Sequence, residues 1–443
     1  MTIVPQMNLS REGLDPYWLP FTPNRSFKTN PRLFVAGKGM YYTAADGREI
    51  LDGMAGLWCV NAGHGQERIT AAIREQAGHL DYVSSFQMSH PLAFKAAERI
   101  ATLTPPGMDR VFFTNSGSEA VDTALKIARA YHRARGEAHR TMLIGRAKGY
   151  HGMGFGGLAV GGIGRQKRDF GPLLPGVAHL SHTYNREEQA FSKGQPEWGA
   201  HLADELEAMV QIYDASTIAA VIVEPVTGSG GVLPPPKSYL EKLRAITEKH
   251  GILLIFDEVI TGYGRLGTAF GSTALGVTPD MITCAKGMTN GAVPMGGVIA
   301  SRKVYDGFMN GPESAIELMH GYTYSGHPLA CAAALASIDV YEEQDIFARA
   351  AKMAVYWEEQ AHSLKGEPHI VDIRNIGLLA AIEIAPKDEP MSRSVPAGNF
   401  CFENGVLLRT AGDALVLSPP LIISESEVDR IFDTIRRAVR SLA

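Results

Sequence analysis

The sequence is poor in cysteine and has neither a long apolar run nor a block of charge of one sign. Its four cysteines stand far apart without a C-x-x-C pair, which argues against a disulfide framework or a zinc site; they are Cys59, Cys284, Cys331 and Cys401. No apolar run approaches the roughly 18–20 residues of a membrane span. The net charge is −5, from 42 basic and 47 acidic residues, and no basic stripe offers a surface for nucleic acid or anionic lipid.

The N-terminal residues also lack the basic-then-apolar pattern of a signal peptide. Together these absences argue against secreted, membrane-bound and nucleic-acid-binding classes. We therefore expect a soluble, cytoplasmic protein that holds no metal and binds neither nucleic acid nor membrane.

What the sequence does contain is an alternation of short β-rich runs with helical patterns. The runs are continuous in Val, Ile and Leu, as in strands buried on both faces of a mainly parallel, helix-covered sheet. They are RVFFTN (110–115), TMLIG (141–145), IAAVIVEPV (218–226), GILLIFDEV (251–259), MITCAK (281–286) and GGVIA (296–300).

The C-terminal part has a different composition of elements. Long helical patterns at 327–343, 346–363 and 425–442 surround a few short strands, among them GVLLRT (405–410). This predicts an α/β protein with a large domain and a smaller α+β domain, against which the strand-rich first sixty residues pack.

The stretch TNSGSEA (114–120) joins a predicted strand to a helical pattern. Ser116 and Glu119 are spaced as in a capping box, and the N–H groups at a helix start bind phosphate. The Ser118 hydroxyl offers a further donor. An ordinary helix cap is the alternative, and the absence of a P-loop lysine argues against a nucleoside triphosphate.

Two charged residues end buried strands. Asp257 follows the apolar run ILLIF, and Lys286 follows MITCA. A buried carboxylate needs a cation or hydrogen bonds, and Arg265 is one candidate partner. Burial lowers the pKa of a lysine and favours the nucleophilic amine, although a lysine that extends to the surface is the alternative.

A single cofactor would engage all three features. It would need a phosphate for the helix start, a ring nitrogen for Asp257 and an aldehyde for Lys286. Pyridoxal phosphate has these three groups.

The chain also resembles the class III pyridoxal-phosphate aminotransferases, and among them the ω-amino acid (β-alanine):pyruvate enzymes. The resemblance covers nearly the whole chain and rests on TNSGSEAVDTALKIAR, GYHG (149–152), VIVEPV (221–226), LLIFDEVITGYGR (253–265), AKGMTNG (285–291) and GYTYSGHPLACAAAL (321–335). It implies the type I aminotransferase fold, with a seven-stranded, mostly parallel sheet in the large domain and a small domain from both chain ends. We divide the chain into an N-terminal segment (1–58), a large domain (59–324) and a small domain (325–443).

The resemblance also implies roles for individual residues. Lys286 would form the Schiff base and then move a proton, and Asp257 would hold the pyridinium. The other residues implied for the cofactor are Gly117 and Ser118 at the phosphate, Tyr150 and Val259 on the two ring faces, His151, Glu224, and Thr323 reaching the site of a partner subunit. A homodimer with shared sites, or a tetramer, is implied.

For the substrate, the resemblance points to one arginine and an aromatic pocket. Arg409 would bind a carboxylate, whereas without the resemblance it would be interpreted as a surface or ion-paired arginine. The pocket residues are Trp58, Phe21, Phe86 and Tyr150, with Phe86 contributed by the partner chain. The implied reaction transfers an amino group from an ω-amino acid or primary amine to pyruvate by a ping-pong scheme.

Other interpretations remain open or are disfavoured. GMGFGG (152–157) satisfies G-x-G-x-x-G, but no helical pattern or spaced acid follows it, which argues against a nicotinamide dehydrogenase. Other class III reactions share Lys286 and Asp257: 4-aminobutyrate or taurine transamination, aminomutation and decarboxylation. The sequence leaves open which amine is the donor.

Overall fold

The computed structural model describes residues 11–442. Its strands are β1 (Phe34–Lys38), β2 (Tyr41–Ala44), β3 (Glu49–Asp52), β4 (Met108–Thr114), β5 (Met142–Arg146), β6 (Val177–Leu180), β7 (Ile218–Val223), β8 (Leu253–Asp257), β9 (Met281–Cys284), β10 (Gly296–Ser301), β11 (Ile370–Ile376), β12 (Leu379–Ile384), β13 (Val406–Leu407), β14 (Arg409–Ala411) and β15 (Ala414–Leu417).

Its α-helices are α1 (Arg11–Leu14), α2 (Asn24–Thr29), α3 (Ala55–Trp58), α4 (Glu67–His79), α5 (Pro91–Ala101), α6 (Gly117–Ala134), α7 (Phe155–Val160), α8 (Gly164–Lys167), α9 (Arg186–Gln189), α10 (Glu205–Tyr213), α11 (Tyr239–Lys249), α12 (Gly271–Ala274), α13 (Arg302–Asp306), α14 (Pro328–Glu343), α15 (Ile346–His362), α16 (Ser394–Glu403) and α17 (Glu425–Arg440). Short 3₁₀ turns occupy Ala200–Asp204, Ala215–Thr217 and Lys286–Thr289. Among residues 11–442, no helix combines the length and apolarity that a bilayer crossing needs.

A seven-stranded sheet forms the centre of the molecule, in the order β4-β10-β9-β8-β7-β5-β6. Strands β9, β8, β7, β5 and β6 run parallel, and β10 is antiparallel to both of its neighbours. Helix α6 packs on one face and α10 and α11 on the other, so the inner strands are wholly buried. The predicted mostly parallel, helix-covered sheet is confirmed, whereas β6 at its edge was not predicted.

The chain ends meet in a second, four-stranded sheet. There β13 pairs in parallel with β3, with Val406 opposite Leu51, so a strand of the C-terminal part joins the strands of residues 34–52. A third sheet has the order β11-β12-β15-β14. The predicted strand GVLLRT is therefore two strands in two sheets, and Arg409 is the first residue of β14.

A buried charge cluster joins the third sheet to the segments that follow β6 and β7. Arg374 on β11 donates from Nη1 to Asp372 and to Glu383, each at 2.5 Å, and from Nη2 to the Gly231 carbonyl at 3.1 Å. The Tyr184 hydroxyl also donates to Asp372, at 2.8 Å. Because Asp372 is fully buried, these donors take the place of water around its carboxylate.

We expect Arg374→Ala to destabilise the fold by about 3–5 kcal/mol, because it leaves a buried carboxylate without its cation. Thermal unfolding followed by circular dichroism measures this as a lower apparent melting temperature. Arg440→Ala is the control, since it removes an ion pair with Glu367 at the surface. Equal melting temperatures for the two variants would contradict a stabilising role of the buried cluster.

Candidate active site

The start of α6 carries two backbone N–H groups without acceptors. Ser116 caps the helix, and its Oγ accepts from the Glu119 N–H at 3.2 Å. The predicted capping box is only half formed, because the Glu119 carboxylate accepts from the Asn115 N–H at 2.8 Å instead of from Ser116. Within the described residues, the N–H groups of Gly117 and Ser118 have no partner. With the dipole of an 18-residue helix behind them, they form a site for an anion.

Glycines let two segments pack tightly against this helix start. A Cβ at Gly117 would lie 2.9 Å from Val259 Cγ2. A Cβ at Gly152, whose φ is +88°, would lie 2.4 Å from Ser118 Oγ. Ser118 Oγ in turn accepts from the Met153 N–H at 3.3 Å. The segment after Tyr150 therefore orients the Ser118 hydroxyl.

Asp257, the last residue of β8, is 5% exposed and held by three donors. Its Oδ2 accepts from His151 Nδ1 at 2.8 Å, and its Oδ1 accepts from Thr283 Oγ1 at 3.0 Å and from the Val259 N–H at 3.2 Å. His151 thus contacts this carboxylate directly, and its buried Nε2 has no partner in the described part of the chain.

Arg265 is not the partner of Asp257. Its Nη2 donates to Asn61 Oδ1 at 2.7 Å, and its Nη1 donates to the Pro419 carbonyl at 2.5 Å. Burial lowers the pKa of Arg265 to about 10. The interpretation of Asp257 as half of a structural pair with Arg265 is therefore wrong.

Glu224 fixes the backbone of the segment that carries Tyr150. Its carboxylate accepts from the N–H groups of Tyr150 and Gly228, each at 2.8 Å. Burial raises the pKa of Glu224 above its ordinary value. Arg146, which sequence reasoning missed, donates from Nη2 to the Glu224 carbonyl at 2.6 Å and to Thr227 Oγ1 at 2.8 Å. The only sequence signal for it is an arginine that ends the apolar run of β5.

Lys286 lies two residues beyond β9, at the start of a 3₁₀ turn, and has φ of +51°. Its Nζ is 5.1 Å from the centre of the Trp58 ring and forms no salt bridge with the described carboxylates. Burial lowers the pKa of Lys286, while the charges of Asp257 and Glu224 act in the opposite direction. Nζ is therefore a partly desolvated amine close to Asp257.

Arg409 and Lys286 approach the same aromatic ring. Arg409 Cζ lies 5.1 Å from the centre of the Trp58 ring, and Trp58 is 2% exposed. Arg409 is half-buried and forms no salt bridge with the described residues, and burial lowers its pKa. The alternative of an ion-paired arginine is therefore wrong for the described residues, and Arg409 is half-buried rather than fully at the surface. Its guanidinium is available for a carboxylate from outside the chain.

Three predicted residues lie on the surface, away from these side chains. Phe21 is 71% exposed and Phe86 is 53% exposed. Thr323 is also exposed, and its carbonyl accepts from the Tyr82 hydroxyl at 2.9 Å. None of the three has a described contact with Lys286, so their roles stay predictions.

The GMGFGG stretch contains a helix that the sequence pattern did not predict. Helix α7 begins at Phe155 within it and spans six residues. Asp122 Oδ1 accepts from the Gly157 N–H in its first turn at 2.7 Å. A carboxylate of the chain itself therefore takes a donor at this helix start, which argues against a phosphate there.

Comparison with known proteins gives consistent results. Residues 24–439 match the family described as aminotransferase class-III. The chain is 57% identical over 427 residues to an omega-aminotransferase of Caulobacter vibrioides, covering 96% of this chain and 97% of that protein. It is 48% identical over 438 residues to the beta-alanine–pyruvate aminotransferase of Pseudomonas aeruginosa, covering 98% and 97%.

A solved structure with a similar fold is an amine transaminase from an uncultivated Pseudomonas species in its pyridoxal-phosphate-bound form. It is 36% identical, superposes with a TM-score of 0.89, and the match covers 96% of this chain and 98% of that one. The type I aminotransferase fold that the sequence resemblance implied is thus confirmed.

We expect Gly152→Ala to weaken anion binding at the start of α6, because the new Cβ displaces the Ser118 hydroxyl. The dissociation constant of the cofactor-free protein for inorganic phosphate should rise about tenfold, measured by calorimetry. Gly136→Ala is the matched control: its φ is +84°, and no atom lies within 4 Å of the added Cβ. Equal phosphate affinities in the two variants would show that the Ser118 hydroxyl does not contribute to the anion site.

Proposed function

The chain belongs to the class III aminotransferase family, and we propose that it transfers the amino group of an ω-amino acid of the β-alanine type, or of a primary amine, to pyruvate. The products are alanine and an aldehyde or ketone, formed in a ping-pong scheme. One observation carries this proposal: a desolvated amine, a buried carboxylate and an open helix start lie at one edge of the sheet, beside an arginine that has no acidic partner in the described part of the chain. The names of the relatives support pyruvate as acceptor.

The cofactor proposed for this site is pyridoxal phosphate, on which class III aminotransferases depend. The donor set fits it, because the N–H groups of Gly117 and Ser118, which have no acceptor among residues 11–442, suit its phosphate. Asp257 suits its ring nitrogen, and Lys286 suits its aldehyde. When bound, this cofactor supplies an electron-accepting ring.

Asp257 would hold the ring nitrogen of the bound cofactor in its protonated form. Its own orientation is fixed by His151 and Thr283, which donate to different carboxylate oxygens. Tyr150 and Val259 would limit the two faces of the ring, and Glu224 holds the Tyr150 backbone through its N–H.

Lys286 moves the proton during the reaction. Because burial lowers its pKa, a larger fraction of Nζ is neutral than in an exposed lysine, and a neutral amine is free to take a proton from the substrate carbon that bears the amine. With the cofactor bound, the same amine would deliver that proton on the cofactor side. Trp58, against which Nζ lies, excludes water from one side of the amine.

We also propose that two copies of the chain form a homodimer with shared sites. Phe86 and Phe94 line one surface cavity together with Gly321, which lies two residues before Thr323, and the large apolar side chains Met88, Ile316 and Met319 are also exposed. An apolar surface of this kind is typical of a protein interface. A cytoplasmic location and the division at residues 58 and 324 remain part of the same proposal.

The function is tested by separating the two half-reactions. With β-alanine alone, the visible absorbance of the bound cofactor should change once and stop, and pyruvate should then restore it and yield alanine. Lys286→Ala should lower turnover by about four orders of magnitude while cofactor remains bound. A spectrum that neither amines nor alanine change would contradict the proposed transamination, and release of carbon dioxide would indicate a decarboxylase.

Arg409→Ala should separate carboxylate substrates from simple amines. In the donor half-reaction the rate constant over dissociation constant for β-alanine should fall about 10- to 100-fold, because a charged hydrogen bond is lost. A primary amine without a carboxylate serves as the internal control, and Arg437→Ala on α17 is the control variant. An equal fall in this ratio for β-alanine and for the primary amine would show that Arg409 does not bind the substrate carboxylate.

A further inference from the structure

The turn that carries Lys286 has an unusual backbone conformation. Lys286 and Asn290 both have φ of +51°, and Gly291 has φ of +69°. Residues other than glycine rarely adopt a positive φ, so contacts with the surrounding structure must hold the backbone of this turn. The contacts that hold the turn therefore determine where the Lys286 amine lies.

One of these contacts comes from helix α14, far away in sequence. The Tyr341 hydroxyl donates to the Gly287 carbonyl at 2.5 Å, and Tyr341 is 1% exposed. Gly287 follows Lys286 directly. It has no room for a side chain, since a Cβ there would lie 2.6 Å from Asn61 Nδ2 and 2.9 Å from Tyr263 Cβ.

The other end of the turn is held by a different segment. Asn290 Oδ1 accepts from the Ala62 N–H at 2.8 Å, and its Nδ2 donates to the Gly63 carbonyl at 2.9 Å. The turn is thus fixed from two sides, by α14 and by the segment that follows Trp58.

We infer that Tyr341 is a positioning residue: its hydroxyl, through the Gly287 carbonyl, holds the Lys286 turn and keeps the amine buried beside Trp58. This rests on the proposed role of Lys286. The Tyr341 hydroxyl bonds the backbone of the turn at the Gly287 carbonyl, so its effect passes through the backbone.

The position of the amine determines its protonation. The charged and titratable groups that act on Lys286 Nζ are Cys59, Asp257, Glu224 and Arg409, and burial is the largest influence, lowering the pKa of Lys286. A turn released from Tyr341 admits water to the amine. The pKa of Lys286 then rises toward its ordinary value.

A neighbouring tyrosine provides the matched control. Tyr263 is also 1% exposed, and its ring centre lies 6.2 Å from that of Tyr341. The only hydrogen-bond partner of its hydroxyl among the described residues is Cys284 Sγ, at 3.9 Å. Tyr263→Phe therefore removes a hydroxyl of equal burial without releasing the turn.

The test labels Lys286 in the full-length, cofactor-free protein with acetic anhydride at a series of pH values, and mass spectrometry quantifies the acetylated peptide. In Tyr341→Phe the pH midpoint of labelling should move upward by about half a unit or more, whereas Tyr263→Phe should leave it unchanged. With cofactor, Tyr341→Phe should lower kcat about tenfold and leave KM for pyruvate unchanged.

Asn290→Ala frees the other end of the same turn, and it should move the midpoint in the same direction. It keeps the inference testable if Tyr341→Phe melts too low to label. Unchanged midpoints in both variants, or equal shifts in Tyr341→Phe and Tyr263→Phe, would overturn it. If the wild type shows no transamination but Tyr341→Phe still shifts the labelling, the proposed function fails and the positioning role stands.

Discussion

Two opposite charges removed from water at neighbouring strand ends determine the arrangement of the site. Asp257 ends β8, and Lys286 lies just beyond β9, the adjacent strand. Burying either charge costs free energy, and this cost is met differently for Asp257 and for Lys286. The Asp257 carboxylate accepts from three donors, whereas Lys286 has no ion pair among residues 11–442 and burial lowers its pKa. This asymmetry places a carboxylate that can pair with a positive charge close to a nucleophilic amine.

The strands of the central sheet could be predicted from sequence where they are buried on both faces, because such strands are continuous apolar runs. Strands β7 and β8 are wholly buried and were predicted, whereas β6, a four-residue edge strand with partly exposed residues, was not. The antiparallel direction of β10 and the division of GVLLRT between two sheets depend on tertiary pairing, which local pattern does not encode.

The reactive residues of the site could be predicted from sequence, but the residues that hold them in place could not. Asp257 and Lys286 stand out because charge interrupts an apolar pattern, and the resemblance supplied the remaining residues. The residues that hold the site in place are far apart in sequence from those they contact: Arg146 donates to the Glu224 carbonyl, and Tyr341 donates to the Gly287 carbonyl. An ordinary buried tyrosine on a helix gives no local sign of such a contact.

The break between β13 and β14 also has a consequence for how this chain tolerates change in length. Leu408 alone separates a strand paired with β3 from a strand paired with β15. A one-residue slip in a strand turns every side chain to the opposite face. An insertion or deletion at this point would therefore turn the Arg409 guanidinium away from Trp58 while leaving both sheets able to form. Active variants of this chain should therefore tolerate insertions and deletions elsewhere better than at Leu408.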